Sequence, residues 1–335
     1  MGRKIRIGIF GIGHNHAAAA ITTLRAQRDV EIVGLWERDP AMLERRLREN
    51  PAAYQGIPVM TKEELFGSAL DAAMVEAAVP ELVPTALECA RQGLHLHMDK
   101  PAGTDLATYQ ELLALLEQNH LVFQTGYMYR YNAGIRYIFQ KIRENTLGRI
   151  YNISAQMSTK HPVWFKEQLK GYGVKAPVMY IFGGHLLDLC MQIKGEPDTL
   201  QPFHFCSGND GMDLEDTSLA VLSYGDGVAT VKVSSSEING WGLREFTVYG
   251  EKGTIAVQPL ENPLVVRETW LENQSPWSTV YTEVDIPEAG RYDVMMQEFV
   301  EMIRGDIPCC VDFHHEYLLQ KYTLLACGYP VDKNV

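Results

Sequence analysis

The stretch Ile5-Arg6-Ile7-Gly8-Ile9-Phe10-Gly11-Ile12-Gly13-His14-Asn15-His16 joins an apolar run to a turn that contains two glycines. Residues 17–27 follow; they are rich in alanine and leucine and predict a helix. In this context Gly11 permits a tight turn, and Gly13 lets the backbone approach a pyrophosphate at the helix N-terminus. His16 stands where the dinucleotide-binding fingerprint has its third glycine, so the motif is imperfect.

A second apolar segment, residues 30–36, ends at Glu37. Its distance from the glycine turn is about the twenty residues at which an acid binds the adenosine ribose hydroxyls. A carboxylate there repels a 2′-phosphate, which favours NAD, while the adjacent Arg38 keeps NADP as the alternative. Glu37 could also be a surface acid before a helix, but its register with the glycine turn favours cofactor binding.

Further strands and helices alternate up to residue 127, which predicts a doubly wound parallel sheet. One of these strands lies in Gly93-Leu94-His95-Leu96-His97-Met98-Asp99-Lys100-Pro101, where apolar residues alternate with histidines. Ligands bind beyond the carboxyl ends of parallel strands. Asp99 and Lys100 are therefore expected at the same edge as the glycine turn, although an ordinary surface ion pair is the alternative for these residues taken alone.

Composition limits the function classes. The chain has 335 residues, 46% of them hydrophobic and 21% charged, which predicts a globular protein of two domains. Its net charge of −12, with no basic cluster, argues against nucleic-acid and membrane partners. There is no apolar run of about 20 residues, no cleavable leader pattern and no Cys-x-x-Cys pair, so a cytoplasmic protein with free thiols is expected.

These motifs together resemble those of the glucose–fructose oxidoreductase/inositol dehydrogenase/MocA family. The resemblance rests on the glycine turn, Glu37, Pro80 and above all the Asp-Lys-Pro context, where the family usually has Glu-Lys-Pro. It continues through residues 126–132, 216–218 and 248–254 and covers nearly the whole chain. It implies an α/β N-terminal Rossmann domain, residues 1–125, and a C-terminal α+β domain, residues 126–335, with a large, open, mostly antiparallel sheet.

The resemblance also implies a catalytic helix in the second half. Residues 180–194 read as a helix ended by Gly195-Glu196-Pro197, and His185 and Asp188 match the family's His-x-x-Asp. A lone helical histidine is more often structural, and only this register makes His185 the expected active-site histidine. The family's dehydrogenases commonly carry a substrate-binding aspartate four residues earlier, where this chain has Ile181.

The expected site residues form three sets. Lys100 and His185 are the expected acid–base pair, with Lys100 bonded to the reacting oxygen and Asp99 holding it or the cofactor ribose. An aromatic and basic loop, residues 160–166, suits the faces and hydroxyl edges of a sugar ring, although an ordinary packed loop is the alternative. The expected cofactor contacts are Gly11, Gly13, His14, Asn15, Glu37, Arg38, Ala78, Pro80, Asp99 and Lys100, and the expected substrate contacts are Lys100, Tyr127, Arg130, His161, Trp164, Tyr180 and His185.

Three functions follow from the resemblance. The first is an NAD(P)-dependent oxidoreductase that acts on a secondary hydroxyl of a sugar, an inositol or a sugar derivative. The second holds NAD tightly and oxidises its substrate transiently, for elimination, glycoside cleavage or epimerisation. The third is a non-catalytic, NAD-binding regulatory protein. Ile181 keeps all three open. A homodimer or homotetramer through the open sheet is expected, because that face needs cover.

No metal site is expected. His14 with His16, His95 with His97, and His314 with His315 are candidate ligand pairs, and His95 and His97 share one face of a strand, which is the correct spacing for two ligands. None of these pairs has an evident third ligand in register, and the adjacent cysteines 309 and 310 have no partner motif.

Overall fold

The structure is a computed structural model that describes residues 3–309 and 311–331; Cys310 lies outside the described residues. It divides into two compact units. The first comprises the described residues of Met1–Met128 and Gly290–Tyr317, and the second those of Tyr129–Ala289 and Leu318–Val335.

The first unit contains a five-stranded parallel sheet, which confirms the predicted doubly wound architecture. The strand order is β2-β1-β3-β4-β5. All four residues of the third strand are fully buried, as expected for a sheet covered on both faces. The strands are β1 (Ile5–Phe10), β2 (Val30–Trp36), β3 (Ala72–Val75), β4 (His95–Met98) and β5 (Phe123–Thr125).

Several helices of the first unit begin after a residue whose side chain caps the helix N-terminus. Asp39 accepts a hydrogen bond from the Ala41 N–H, Asp105 from the N–H groups of Ala107 and Thr108, and Thr61 forms a capping box with Glu64. The α-helices are α1 (Ala17–Arg25), α2 (Pro40–Glu49), α3 (Pro51–Tyr54), α4 (Lys62–Phe66), α5 (Leu82–Arg91), α6 (Leu106–Gln118), α7 (Ala133–Arg143), α8 (Val163–Gly171), α9 (Gly184–Lys194), α10 (Asp293–Arg304) and α11 (Phe313–Ala326).

The second unit contains an eight-stranded sheet of order β13-β12-β11-β10-β6-β9-β8-β7. Its pairs are antiparallel except for β6 with β9, so the predicted large, mostly antiparallel sheet is confirmed. The strands are β6 (Ile150–Ser158), β7 (Thr199–Phe205), β8 (Thr217–Tyr224), β9 (Gly227–Ser234), β10 (Glu245–Gly250), β11 (Gly253–Val257), β12 (Val266–Trp270) and β13 (Thr282–Val284).

The predicted division at residue 125 differs from these units because residues 290–317 return to the first one. This return has a packing reason. Met295, Met296 and Phe299 of α10 are buried, and the Gln124 side-chain amide donates a 2.9 Å hydrogen bond to the Met295 carbonyl. The last α-helix begins in the first unit and ends in the second.

Two local predictions differ from the structure. The loop predicted at residues 160–166 becomes α8 from Val163 onward, because Lys166 and Leu169, one turn apart, bury on one helix face. The sequence does not predict strand β7, because its residues alternate between exposed and half-buried and include Pro202. The strand lies at the edge of the sheet, where proline is tolerated. Among the described residues, no helix is long and apolar enough to cross a membrane.

We predict that Gly11→Ala destabilises the protein more than Gly56→Ala does. Both glycines have left-handed backbones, with φ values of +82° and +78°, which costs any alanine about 1–2 kcal/mol. A Cβ on Gly11 would also lie 2.4 Å from the Ala77 Cα, whereas nothing lies within 4 Å of one on Gly56. Urea unfolding should show an additional loss of about 1–3 kcal/mol for Gly11→Ala; equal losses would contradict this account.

Candidate active site

The glycine turn between β1 and α1 lies against the segment that follows β3. A Cβ on Gly13 would lie 2.7 Å from the Ala78 backbone nitrogen, so only glycine permits this approach. The His14 N–H donates to the Glu76 carbonyl at 2.8 Å. The turn therefore presents a close, side-chain-free backbone at a helix N-terminus, which fits the pyrophosphate of a dinucleotide.

Glu37 is placed at this turn, as its register predicted. Its Oε2 accepts a 2.7 Å hydrogen bond from the Ile12 N–H, and its Oε1 accepts one of 3.1 Å from the Asp39 N–H. Because a carboxylate has about four lone-pair sites, ribose hydroxyls could still bind. Arg38 instead forms an exposed ion pair of 2.6 Å with Glu81, which holds its guanidinium beside another acid.

The remaining predicted cofactor residues of the first unit differ in exposure. Ala78 is half-buried, and Pro80 is exposed in a 3₁₀ turn. The Asn15 side-chain oxygen accepts a 2.9 Å hydrogen bond from Arg46, whose Nη2 also donates to the Gly13 carbonyl at 2.7 Å. His14 and Asn15 line a cavity of about 510 Å³ with residues of α1, α2 and α3.

Asp99 and Lys100 lie at the carboxyl end of β4, and each is only 2% exposed. The Lys100 backbone N–H donates to Asp99 Oδ1 at 2.7 Å. Asp99 Oδ2 lies 3.0 Å from His14 Nδ1 and 2.9 Å from His16 Nδ1. Burial acts to raise the pKa of Asp99, but the two neighbouring imidazoles hold it well below its usual range. Burial lowers the pKa of His16 to about 4.

Glu76 is a fully buried acid that is absent from the site residues predicted from the sequence. It follows β3 directly, so the rule that placed Asp99 at the strand ends could have found it as well. Its carboxylate lies 3.8 Å from His14 Nδ1 and 3.5 Å from His97 Nε2. Burial, followed by the neighbouring Asp99 carboxylate, raises the pKa of Glu76 well above its usual range, which favours its neutral form.

In the second unit, His185 lies on α9 and is 1% exposed. The ring of Tyr129 stands edge-on to it, with ring centroids 5.5 Å apart. Asp188, on the same helix, forms a bidentate ion pair with Arg130 through two hydrogen bonds of 2.8 Å. The predicted substrate residue Arg130 therefore holds the acid of the His-x-x-Asp pattern.

The helix that carries His185 is not uniform. Residues Met179–Gly183 form a π-helical turn before α9 begins, where the sequence predicted a continuous α-helix over 180–194. Tyr180 and Ile181 lie in this turn and are buried. Because a π turn widens the helix, counting four residues back from His185 no longer gives an ideal one-turn neighbour. π turns of this kind are frequent at functional sites.

The predicted sugar-binding residues His161 and Trp164 have different surroundings. The His161 ring stacks on Phe165 and Phe182, with centroid distances of 4.5 and 5.1 Å. Burial, followed by the nearby cations Arg244 and Lys166, lowers the pKa of His161 to about 4. Trp164 is 64% exposed on α8. In the first unit, Tyr127 is 3% exposed.

Sequence reasoning also missed a buried lysine in the second unit. Lys166 is fully buried, and its amine donates to Asp210 at 2.8 Å and to the Ser236 hydroxyl at 2.6 Å. Asp216, which belongs to the segment 216–218 that resembles the family, lies 3.9 Å from the same amine. A lysine in an aromatic segment usually lies at the surface, so its sequence contained no signal for this network.

Two family descriptions match the chain. The oxidoreductase family with an NAD-binding Rossmann fold matches residues 5–127, and the GFO/IDH/MocA C-terminal domain matches residues 135–256. No curated protein matches the sequence.

Several solved structures share the fold. UDP-N-acetylglucosamine 3-dehydrogenase GnnA from Acidithiobacillus ferrooxidans is 16% identical, with 97% of each chain covered and a TM-score of 0.78. A putative NADPH-dependent oxidoreductase from Desulfitobacterium hafniense is 16% identical, with 98% of this chain and 96% of that one covered and a TM-score of 0.81. The WlbA dehydrogenase from Bordetella pertussis, in complex with NADH and UDP-GlcNAcA, is 18% identical, with 97% and 95% covered and a TM-score of 0.75.

We predict that His161→Phe makes the protein less sensitive to acid. The histidine pKa of 6.5 is lowered to about 4 in the folded protein, so the unfolded chain binds the proton first as the pH falls. His161 therefore costs no stability above pH 6.5 and up to about 1.4 kcal/mol per pH unit between pH 6.5 and 4. Urea unfolding at pH 7.5 and 5.0 should show a smaller loss in the variant, and an identical loss would contradict the prediction.

Proposed function

Because the chain belongs to the GFO/IDH/MocA family of oxidoreductases with an NAD-binding Rossmann fold, we propose that it oxidises or reduces a secondary hydroxyl of a sugar, an inositol or a sugar derivative, with Lys100 and His185 as its acid–base pair. The substrate class is supported by relatives of the same fold that are named for UDP-linked sugars.

The observation that carries this proposal is the position of Lys100. It is a buried amine at the carboxyl end of β4, next to a buried carboxylate and at the same sheet edge as the glycine turn. Charged groups are almost never fully buried without a specific role or partner. An amine at the ligand-binding edge of a parallel sheet is suited to a substrate hydroxyl.

In the proposed reaction, NAD supplies a hydride acceptor when it is bound. Lys100 bonds the reacting oxygen and takes its proton as the carbon is oxidised, and His185 serves as the acid–base partner. Asp99 holds the Lys100 backbone through its 2.7 Å hydrogen bond. Gly11, Gly13, His14, Asn15, Glu37, Ala78 and Pro80 are the proposed cofactor contacts, and Tyr127, Arg130, His161, Trp164 and Tyr180 the proposed substrate contacts.

A second candidate function is favoured by Ile181. It stands where dehydrogenases resembling this chain commonly carry a substrate-binding acid, and it is buried in the π turn. A transient oxidation would acidify the neighbouring C–H and allow elimination, glycoside cleavage or epimerisation without net NAD consumption. A non-catalytic regulator would bind NAD and show neither activity.

The proposal includes a homodimer or homotetramer formed through the open sheet. Phe203 and Phe205 on β7 are 55% and 66% exposed, and Val228 on β9 is 38% exposed. Apolar side chains gathered on one sheet face are typical of a surface that a partner covers. These exposed residues support an interface on this face of the sheet.

We predict that Lys100→Ala and His185→Ala each lower turnover by about 10²–10⁴-fold, because each removes an acid–base group. NAD binding, measured by calorimetry, should stay within a few fold. The matched control is Lys170→Ala, which removes an exposed lysine from α8. Full activity in either active-site variant would refute the assignment.

The substrate screen distinguishes the candidate functions. Purified protein is incubated in D₂O with NAD and a panel of sugars, inositols and sugar nucleotides, and NADH and deuterium incorporation are followed. NADH formation supports the oxidoreductase, while deuterium uptake without net NADH supports transient oxidation. NAD binding with neither signal supports the regulator.

We predict that Glu37→Ser weakens NAD binding at least about tenfold, because a charged acceptor for ribose hydroxyls is lost. Binding of NADP should strengthen, because a carboxylate no longer repels the 2′-phosphate. Asp39→Asn is the control, since it removes a nearby charge and keeps the α2 N-cap. Calorimetric titration of both nucleotides tests the pair, and an unchanged NAD to NADP ratio would rule out this role.

A further inference from the structure

Four side chains of the first unit converge on one point, where His16 is 22% exposed and the other three are buried. His14 and His16 come from the turn before α1, Asp99 from the end of β4 and Glu76 from the end of β3. One ligand atom from each of His14, His16 and Asp99 lies within 4.8 Å of the other two. This group is called the His-His-Asp cluster below.

Burial makes the cluster costly unless its charges are compensated. His14 is 7% exposed, Asp99 is 2% exposed and Glu76 is fully buried. Neither carboxylate oxygen of Glu76 receives a hydrogen bond from any residue in the described part of the chain. Buried carboxylates are normally hydrogen-bonded, paired with a cation or bound to a metal. Glu76 therefore lies close to the His14 and His97 rings, at 3.8 and 3.5 Å, without a well-formed hydrogen bond to either of its carboxyl oxygens.

The hydrogen bonds of the cluster do not account for His14. Its Nδ1 lies 3.0 Å from Asp99 Oδ2 and also 3.3 Å from the His16 backbone N–H, which points at it as a donor. A proton on this nitrogen would suit the carboxylate and oppose the N–H. A lone pair would suit the N–H and oppose the carboxylate. A cation between Nδ1 and Oδ2 would take this lone pair in place of the N–H and would remove the repulsion from the carboxylate, because the nitrogen and the carboxylate both bind it.

We propose that the His-His-Asp cluster binds one divalent transition-metal ion through His14 Nδ1, His16 Nδ1 and Asp99 Oδ2, with Glu76 beside it as a further carboxylate. Two imidazoles and a carboxylate form a donor set typical of zinc, cobalt and iron(II), whereas magnesium and calcium prefer oxygen alone. The site goes beyond the proposed sugar oxidoreduction, since it requires neither substrate nor turnover.

The distances suit such an ion. With metal–ligand bonds of about 2.0–2.1 Å, the donor atoms of a tetrahedral site lie roughly 3.3 Å apart. The two nitrogen–oxygen distances of the cluster are 3.0 and 2.9 Å, so small rotations of the side chains are sufficient. The ion uses no backbone N–H group of the glycine turn, so it does not compete for the hydrogen bonds that Ile12 and His14 already donate.

The sequence supports the same site independently. His16 replaces the third glycine of the dinucleotide fingerprint, a position where close packing of helix and strand usually excludes a side chain. Here the imidazole is accommodated and turns towards Asp99, itself an aspartate in the place of the usual glutamate. These two residues, each of which departs from the usual pattern, are in contact: His16 Nδ1 lies 2.9 Å from Asp99 Oδ2.

The test measures metal binding without any substrate. Purified full-length protein is stripped with a chelator and titrated with Co²⁺, followed by its visible absorption, and with Zn²⁺, followed by calorimetry. We expect one equivalent of either ion. His16→Gly restores the fingerprint glycine and should weaken binding at least about tenfold, as should Asp99→Asn. The control His314→Ala removes an exposed histidine of α11 and should bind as the wild type does.

The outcomes separate this inference from the proposed function. Absence of Co²⁺ and Zn²⁺ binding in the wild type, or wild-type binding in His16→Gly, overturns the metal site and identifies the cluster as hydrogen-bonded only. Glu76→Gln provides a second variant, with an expected weakening of about 10–100-fold for a group beside the ligands. Circular dichroism checks that each variant is folded. A metal-binding protein that turns over no sugar would leave this inference standing and refute the proposed function.

Discussion

The buried carboxylate of Asp99 is the constraint on which the candidate site of the first unit depends. A charge taken out of water must be compensated locally, and here the compensation comes from the Lys100 backbone N–H and from two imidazoles of the turn after β1. The loops that follow β1 and β4 are thereby tied to one atom group. The Asp99 carboxylate also restricts position 126 to glycine, since a Cβ on Gly126 would lie 2.7 Å from Asp99 Oδ1.

Much of the fold could be predicted because the relevant signals are local. Apolar runs that end in Gly11-x-Gly13 or Asp99-Lys100 identify strands whose carboxyl ends share one edge. Glu37, which follows another such strand, lies beside the glycine turn and accepts a hydrogen bond from the Ile12 N–H. Parallel strands buried on both faces have continuous apolar sequences, which are easy to recognise.

The parts that could not be predicted depend on contacts between residues distant in sequence. The half-polar β7 is a strand only because β8 pairs with it, and Lys166 is buried only because Asp210 and Ser236 meet its amine. The π turn before α9 changes which residues lie one turn apart, and the spacing of apolar residues in the sequence does not predict this change. Glu76 had a usable position at a strand end, but its importance depends on the histidines that fold against it.

The parallel pair β6–β9 has a consequence for how the second unit acquires its structure. Its neighbours β8–β9 and β10–β11–β12 are hairpins that close over a few residues, whereas β6 meets β9 only after a long intervening segment, with Asn152 opposite Val228. The chain loses conformational entropy when that loop closes, and this loss precedes the stabilising hydrogen bonds between β6 and β9. We therefore expect the local hairpins to form before β6 joins them, because β6 pairs with both β9 and β10 across long stretches of chain.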